Sequence, residues 1–290
     1  MIVHERPKFR QLVLMLRLSI LPVIAPQLVS VVAWSCAVVW AGHRWPQLLR
    51  GWTVSPFTLL GVALSIFLGF RNSSCYDRWW EARRQLGAMV GEMRSFARIC
   101  VSFPGLTPQE RSEMVHSALR FTHELIASLR GSARDGAAQC VNPPDAELRR
   151  ISVQVSELRE RGVLDGPAHK LLEERLISFA GFQAACERIR STPTPFTYTL
   201  LIHRTAYAYC FLLPFGLVST MSWGTPLFAA LVAYAFFGLD ALGDELEDPF
   251  GEHINALPLL ALGRIIEVSL LEALGEPTPP LLQPVRNVLR

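Results

Sequence analysis

Three long stretches without a charged residue dominate the hydropathy pattern. Leu18–Gly42 holds 25 such residues, Gly51–Phe70 holds 20 and Thr205–Leu239 holds 35. A straight helix of the last length would measure about 52 Å, too long for one crossing of the ~30 Å hydrocarbon layer, whereas the first two fit a single crossing. Ser222-Trp223-Gly224-Thr225-Pro226 supplies a break. The pattern predicts an all-α integral membrane protein with four transmembrane helices, at about residues 18–42, 51–70, 198–221 and 226–243.

Charged residues return between and after these stretches. Residues 77–101, 108–129 and 146–189 have mixed apolar and charged faces, which predicts partly exposed helices interrupted at Phe103-Pro104-Gly105, at Gly131–Asp145 and after Thr192. Leu257–Leu274 is apolar but contains Arg264, Glu267 and Glu272, which favours an amphipathic helix over a fifth span. We therefore expect one domain over residues 1–290, with a large cytoplasmic helical region at about 71–197 and 244–290.

The distribution of basic residues predicts the orientation. The loop at 43–50 contains two arginines and the 222–225 turn contains none. The segments on the opposite side of the membrane are richer in basic residues. These are Arg6, Lys8, Arg10 and Arg17 before the first span, and Arg71, Arg78, Arg83 and Arg84 after the second. By the positive-inside rule both termini are cytoplasmic. The cell (inner) membrane is the expected location, and the first apolar stretch is too long for a cleaved signal core.

Composition and motifs exclude several other functions. Only 18% of the residues are charged and the net charge is +3, which gives no electrostatic footprint for nucleic acid. The six cysteines lack the spacing of a zinc site, so no metal is expected. The G-x-S-x-G, P-loop and H-E-x-x-H motifs are absent, since His123-Glu124 is followed by Ala127 where the second histidine belongs. An enzyme is therefore not expected.

The second predicted span contains two stripes with a four-residue repeat. Gly61, Ser65 and Gly69 form a small-residue stripe that would let helices approach closely. Beside it lies an apolar stripe of Val62, Ile66 and Phe70. If identical subunits formed a ring, each apolar position would become a ring of side chains that excludes water. The alternative is that this stripe simply faces lipid, as apolar stripes of membrane helices commonly do.

Two further segments make the sequence more specific. Gly69-Phe70 at the end of the second span is followed by Asp77-Arg78-Trp79-Trp80-Glu81, and Glu247-Asp248-Pro249-Phe250-Gly251 occurs later with Asn255, Leu257 and Pro258. These segments resemble the two signatures of the bestrophin family. Their order, their separation and the four-span layout agree with that family over nearly the whole chain.

The resemblance implies a homopentameric ion channel that contacts membrane lipid and passes small monovalent ions. It implies a hydrophobic neck of Val62, Ile66 and Phe70 and a second constriction in the cytoplasmic part, for which Ile177 is a candidate. Chloride is the default ion of the family, whereas some bacterial relatives resemble cation channels. A monovalent cation channel therefore stays open as an alternative, as do a membrane transporter and a scaffold without channel activity.

Five acidic residues lie near the end of the fourth predicted span, namely Asp240, Asp244, Glu245, Glu247 and Asp248. They allow two interpretations. They could form a cation site, or they could pair with Arg78, Arg83 and Arg84. Pairing is favoured because charges at a membrane boundary usually find partners.

His203 and Arg204 suit the edge of the third span as snorkelling residues, with a proton relay as the alternative. In animal bestrophins an acidic run after Pro-Phe-Gly binds calcium, but here Glu252-His253-Ile254-Asn255-Ala256 follows, which makes calcium doubtful, and no cofactor is expected.

Overall fold

The fold was derived from a computed structural model that describes Met1 and residues 19–49, 51–131, 141–285 and 287–289. These residues contain helices and no β-strand, with an isolated bridge between Val285 and Val288. Short 3-10 turns occur at Pro46–Leu49 and Ser222–Gly224. The α-helices are α1 (Leu21–Arg44), α2 (Val54–Ser102), α3 (Pro108–Arg130), α4 (Pro143–Glu160), α5 (Gly166–Ser191), α6 (Phe196–Met221), α7 (Thr225–Glu247) and α8 (Leu259–Leu274).

The chain divides into two compact units. The apolar unit comprises His4–Trp79 and Pro193–Asp248, and the amphipathic unit comprises Met1–Val3, Trp80–Thr192 and Pro249–Arg290. In the apolar unit, α1 packs against both α6 and α7, which also pack against each other. Its core is built from aromatic, aliphatic and small side chains of all four helices, among them Ile24, Val31, Phe57, Leu64, Leu68, Tyr209, Ala233 and Phe237.

Three helical stretches are long and apolar enough to cross a membrane. They are Leu21–Arg44, Val54–Ser102 and Phe196–Glu247. The third contains α6 and α7 and is interrupted by the Ser222–Gly224 turn, where the sequence predicted a break. Ser222 has a positive φ of 47°, and Pro226 lies in the first turn of α7, where proline fits a helix start. The 16-residue α8 lies where the amphipathic helix was predicted and is not among these candidate spans.

The helix that contains the second predicted span does not end at Arg71 and Asn72. Instead α2 continues for 49 residues to Ser102, so the separate helix predicted at 77–101 is its continuation. Buried positions recur every three or four residues along it, including Leu64, Leu68, Arg71 and Cys75. A charged residue on this buried side interrupts the apolar pattern but not the backbone, because Arg71 finds acidic partners there.

In the amphipathic unit, α3 packs against α4 and α8, and α4 packs against α5. The prediction of one helix at 146–189 was wrong, since α4 ends at Glu160 and α5 begins at Gly166. The physical reason is local: Gly162 has a φ of 73°, which suits glycine, and the Asp165 carboxylate accepts a hydrogen bond from the Ala168 backbone amide as the N-cap of α5.

Several residues used in the sequence analysis lie outside the described residues. They are Leu18, with which the first predicted span begins, the basic residues Arg6, Lys8, Arg10, Arg17 and Arg50, and residues 132–140 of the predicted Gly131–Asp145 interruption, which include Cys140.

The start of α3 gives a prediction for acid stability. Thr107 and Glu110 form a reciprocal capping box, and the Arg161 guanidinium bonded to the Glu110 carboxylate is the main reason why the Glu110 pKa is lowered to about 2. Because the folded pKa lies below the unfolded value, this stabilisation is present above about pH 4.3 and is lost as the pH falls toward 2. We expect Glu110→Gln to lower the thermal midpoint clearly at pH 7 and less at pH 2.5, where part of the stabilisation has already been lost. An equal loss at both pH values would contradict this account.

Candidate functional site

The three apolar residues of the predicted neck are all exposed within the protomer. The exposed fractions of Val62, Ile66 and Phe70 are 55%, 52% and 63%. Successive residues of an α-helix are separated by about 100°, so the centre of this stripe lies about 180° from the centre of the buried positions between Phe57 and Cys75. The stripe therefore points directly away from the core of its own subunit.

The small-residue stripe does not form one uniform surface. Gly61 is buried, and a Cβ atom at this position would lie 2.6 Å from the Tyr209 hydroxyl of α6. Ser65 and Gly69 are exposed, and a Cβ on Gly69 would meet nothing within 4 Å. Gly61 thus allows α2 and α6 of the same subunit to pack closely, whereas the surface at Ser65 and Gly69 stays open in the protomer.

This difference predicts unequal effects of two alanine substitutions. We expect Gly61→Ala to destabilise the subunit by about 1–3 kcal/mol, because the added methyl group overlaps a buried tyrosine. Gly69→Ala serves as the matched control and should leave the unfolding of the subunit unchanged. Thermal unfolding of the detergent-solubilised protein measures both. Equal midpoints for Gly61→Ala and the unchanged protein would contradict this prediction, because they would show that Tyr209 can move aside without a loss of stability.

Ile177, the candidate for the second constriction, lies on α5 in the amphipathic unit. Its exposed fraction is 69%, while its neighbours Leu176 and Phe179 are buried. Gly181 and Ala184 continue the same exposed side of α5. Ile177 is thus a large apolar side chain that this unit leaves uncovered.

A buried ion-pair cluster connects α2 and α7 within the apolar unit. Arg71 is fully buried, and its Nη1 donates to the Asp240 carboxylate at 2.9 Å and to the Asp240 carbonyl at 3.2 Å. Its Nη2 lies 2.5 Å from Asp244 Oδ1 and 3.5 Å from Glu247 Oε2. Gly243 makes room for this arrangement, since a Cβ there would lie 2.9 Å from Arg71 Nη1. In this Arg71 cluster, one guanidinium lies among three carboxylates.

Two further residues of the apolar unit extend the cluster onto the start of α6. His203 Nδ1 lies 2.7 Å from Asp240 Oδ2. Thr194 donates its backbone amide and its hydroxyl to Glu247 Oε1 at 2.9 and 2.5 Å. Asp240 is thereby hydrogen bonded from both sides, which is what a buried carboxylate requires. His203 contacts a carboxylate here, rather than standing alone as a snorkelling residue.

The central cation of this cluster is one that the sequence analysis did not assign to it. Arg78, Arg83 and Arg84 were expected to face the acidic residues, but Arg71 occupies the centre. Arg78 donates its Nε to the Glu247 backbone carbonyl at 2.7 Å. A signal for the shared face existed: Asp240, Asp244 and Glu247 are spaced four and three residues apart, so they lie on one side of α7. The sequence alone does not reveal which arginine meets that side.

The first signature segment contains exposed and paired side chains. Asp77 and Trp80 are exposed. Trp79 stacks against Tyr76 with ring centroids 6.3 Å apart. Glu81 forms an ion pair with Arg188 of α5 within the amphipathic unit.

The second signature segment begins at Glu247, the last residue of α7, and its Pro249–Gly251 part belongs to the amphipathic unit. The Pro249 carbonyl accepts a hydrogen bond from the Leu257 amide at 2.8 Å, and the Gly251 carbonyl accepts one from Arg130. Phe250 is buried. This segment is therefore an ordered turn in front of α8. Asp248, the last residue of the apolar unit, forms the C-cap of α7.

No metal centre is apparent in the described part of the chain. Within residues 19–49, 51–131, 141–285 and 287–289, no group of three or more His, Cys, Asp or Glu side chains could hold an ion. Asp240, Asp244 and Glu247 are engaged with Arg71, His203 and Thr194 instead.

The fold and the two signature segments agree with comparisons to known proteins. Residues 1–272 match the family described as "Bacterial/Fungal Bestrophin protein". The chain belongs to the bestrophin family, and it is accordingly a membrane protein and not an enzyme.

Two kinds of relative support this membership. A voltage-dependent anion channel-forming protein of Mesorhizobium japonicum is 48% identical, over 97% of this chain and 95% of the relative, and one of Escherichia coli is 35% identical over 90% of each. The crystal structure of a bacterial bestrophin homolog from Klebsiella pneumoniae superposes with a TM-score of 0.82 at 33% identity, covering 87% of this chain and 99% of that one.

Proposed function

We propose that this chain is the pore-forming subunit of a homopentameric channel that passes small monovalent anions, with chloride as the main ion. The observation that carries the proposal is the exposed stripe of Val62, Ile66 and Phe70, which faces away from the core of its subunit. Large apolar side chains in such a row mark either a lipid-facing surface or an interaction surface. A ring of subunits with α2 innermost turns the stripe into three stacked apolar rings.

Such rings form a narrow throat that loses its water unless it widens. Ser65 and Gly69, on one flank of the stripe, offer little steric hindrance to a neighbouring α2. Ile177 would form a second ring in the part of the pore that lies in the amphipathic unit. The proposal includes four membrane crossings, with α6 and α7 crossing separately, both termini in the cytoplasm and location in the inner membrane. It requires no cofactor and no calcium.

The anionic preference rests on the relatives. The proteins of Mesorhizobium japonicum and Escherichia coli that align with nearly the whole chain are named as voltage-dependent anion channel-forming proteins. Apolar rings discriminate little by charge, so the neck itself is compatible with either sign of ion.

Currents across planar bilayers that contain the purified protein test the function. In asymmetric potassium chloride we expect discrete channel openings with a reversal potential on the chloride side. A reversal potential on the potassium side would identify the cation channel of the same fold. Slow, saturable flux without openings would indicate a transporter, and no flux from the folded protein would indicate a scaffold. Native mass spectrometry in detergent should give five subunits, and isolated protomers would contradict the ring.

A further inference from the structure

Asp77 lies on the same side of α2 as the proposed neck. It follows Phe70 by seven residues, which places it about 10.5 Å farther along the helix axis and within about 20° of the centre of the apolar stripe. Its side chain is exposed, as are Ser73 and Ser74 in the turn before it. In a ring of subunits with the stripe innermost, Asp77 carboxylates would surround the inner end of the neck.

The nearest arginines in sequence are held on another side of the helix. Arg71 is fully buried against Asp240 and Asp244, and Arg78 is hydrogen bonded to the Glu247 carbonyl. Both guanidinium groups are therefore directed toward α7. Neither of them pairs with the Asp77 carboxylate.

The positions one helical turn away supply no cation either. Residues three and four positions before Asp77 are serines, and those three and four positions after it are Trp80 and Glu81. Side chains at these spacings are the ones that could form an intrahelical ion pair. Among the residues that the structure describes, none forms an ion pair or a hydrogen bond with the Asp77 carboxylate.

From this geometry, and resting on the proposed channel function, we infer that Asp77 is a charge-selectivity residue whose ring at the inner end of the neck attracts monovalent cations and repels anions. Rings of aspartate or glutamate act in this way in cation-conducting pores. The apolar neck sets the width of the pathway, and Asp77 limits its preference for anions. Its removal should therefore move the channel toward chloride, whichever ion the unmodified channel prefers.

Asp77→Asn tests this inference in the full-length protein. We expect the chloride-to-potassium permeability ratio, obtained from reversal potentials in asymmetric potassium chloride, to rise at least about threefold. Asp77→Glu keeps the charge and should retain the original ratio. Glu160→Gln removes the same charge from an exposed position at the end of α4 and should leave the ratio unchanged. The rise should also shrink at high salt, since exposed charges are screened.

The outcomes distinguish a failure of the role of Asp77 from a failure of the proposed channel function. If the unmodified channel conducts and Asp77→Asn has the same permeability ratio, the role of Asp77 is wrong while the channel stands. If the folded oligomer conducts no ion, the proposed function fails and the role of Asp77 with it. Should Asp77→Asn not assemble, Ser73→Lys places a cation one turn before the carboxylate on the same side. Ser73→Lys should also raise the chloride-to-potassium permeability ratio, and an unchanged ratio overturns the inference.

Discussion

Arg71→Ala is expected to leave little folded protein after extraction into detergent. The substitution removes the cation at the centre of three carboxylates, and Asp240, which is only 3% exposed, would keep His203 as its one remaining partner of that cluster. Breaking a buried ion pair by removing one partner typically costs about 3–5 kcal/mol, because an uncompensated buried charge remains. A loss of that size is a large fraction of the about 5–15 kcal/mol that stabilises a typical domain.

Thermal unfolding and size-exclusion chromatography measure this loss. Arg84→Ala is the matched control, because it removes an exposed arginine from the same helix and should behave like the unmodified protein. The double variant Arg71→Met with Asp240→Asn removes both charges and should regain part of the stability, because no unpaired charge is left between these two residues. If Arg71→Ala unfolds at the same temperature as Arg84→Ala, the Arg71 cluster does not hold α2 to α7.

Long apolar stretches and strong turn signals could be predicted from the sequence because their physics is local. The break near Ser222 and Pro226 depends on residues that favour a turn whatever surrounds them. The family itself was identified from two short signatures, and the match over residues 1–272 confirms it.

The errors arose where a distant partner decides the local structure. The second predicted span, which ends at Phe70, was separated from the helix predicted at 77–101, with Arg71 and Asn72 between them. The helix continues through them because α7 supplies acidic partners for the guanidinium, and no local pattern in α2 reveals those partners. The helix break at Gly162 was missed for the opposite reason, since a weak local signal stood inside a long amphipathic pattern.

The candidate neck could be located from sequence, but its direction could not. A four-residue apolar repeat is equally compatible with lipid, with the core of the subunit and with a pore. The structure excludes the core, because Val62, Ile66 and Phe70 lie opposite the buried side of α2. Whether the stripe faces lipid or a pore depends on how the subunits are arranged. An experiment on the assembled protein therefore distinguishes these two possibilities.

Ile66→Ala and Phe70→Ala are expected to increase single-channel conductance about two- to fivefold, since every subunit contributes the same side chain to the ring. Truncation widens the throat and removes apolar surface, so water and ions enter it more readily. The closed time between openings should shorten for the same reason. Recordings from planar bilayers measure both quantities, and native mass spectrometry confirms that the variants assemble as the unmodified protein does.

Leu231→Ala is the matched control for these variants. Leu231 lies on α7, a different membrane helix, and is 63% exposed, so it loses a comparable amount of exposed apolar surface outside the proposed throat. Its conductance should equal that of the unmodified channel. Unchanged conductance in both neck variants, or an equal increase in Leu231→Ala, would mean that the stripe faces lipid. An increase confined to Ile66 and Phe70 distinguishes a pore-lining α2 from an ordinary membrane anchor, because lipid-facing truncations leave the ion pathway untouched.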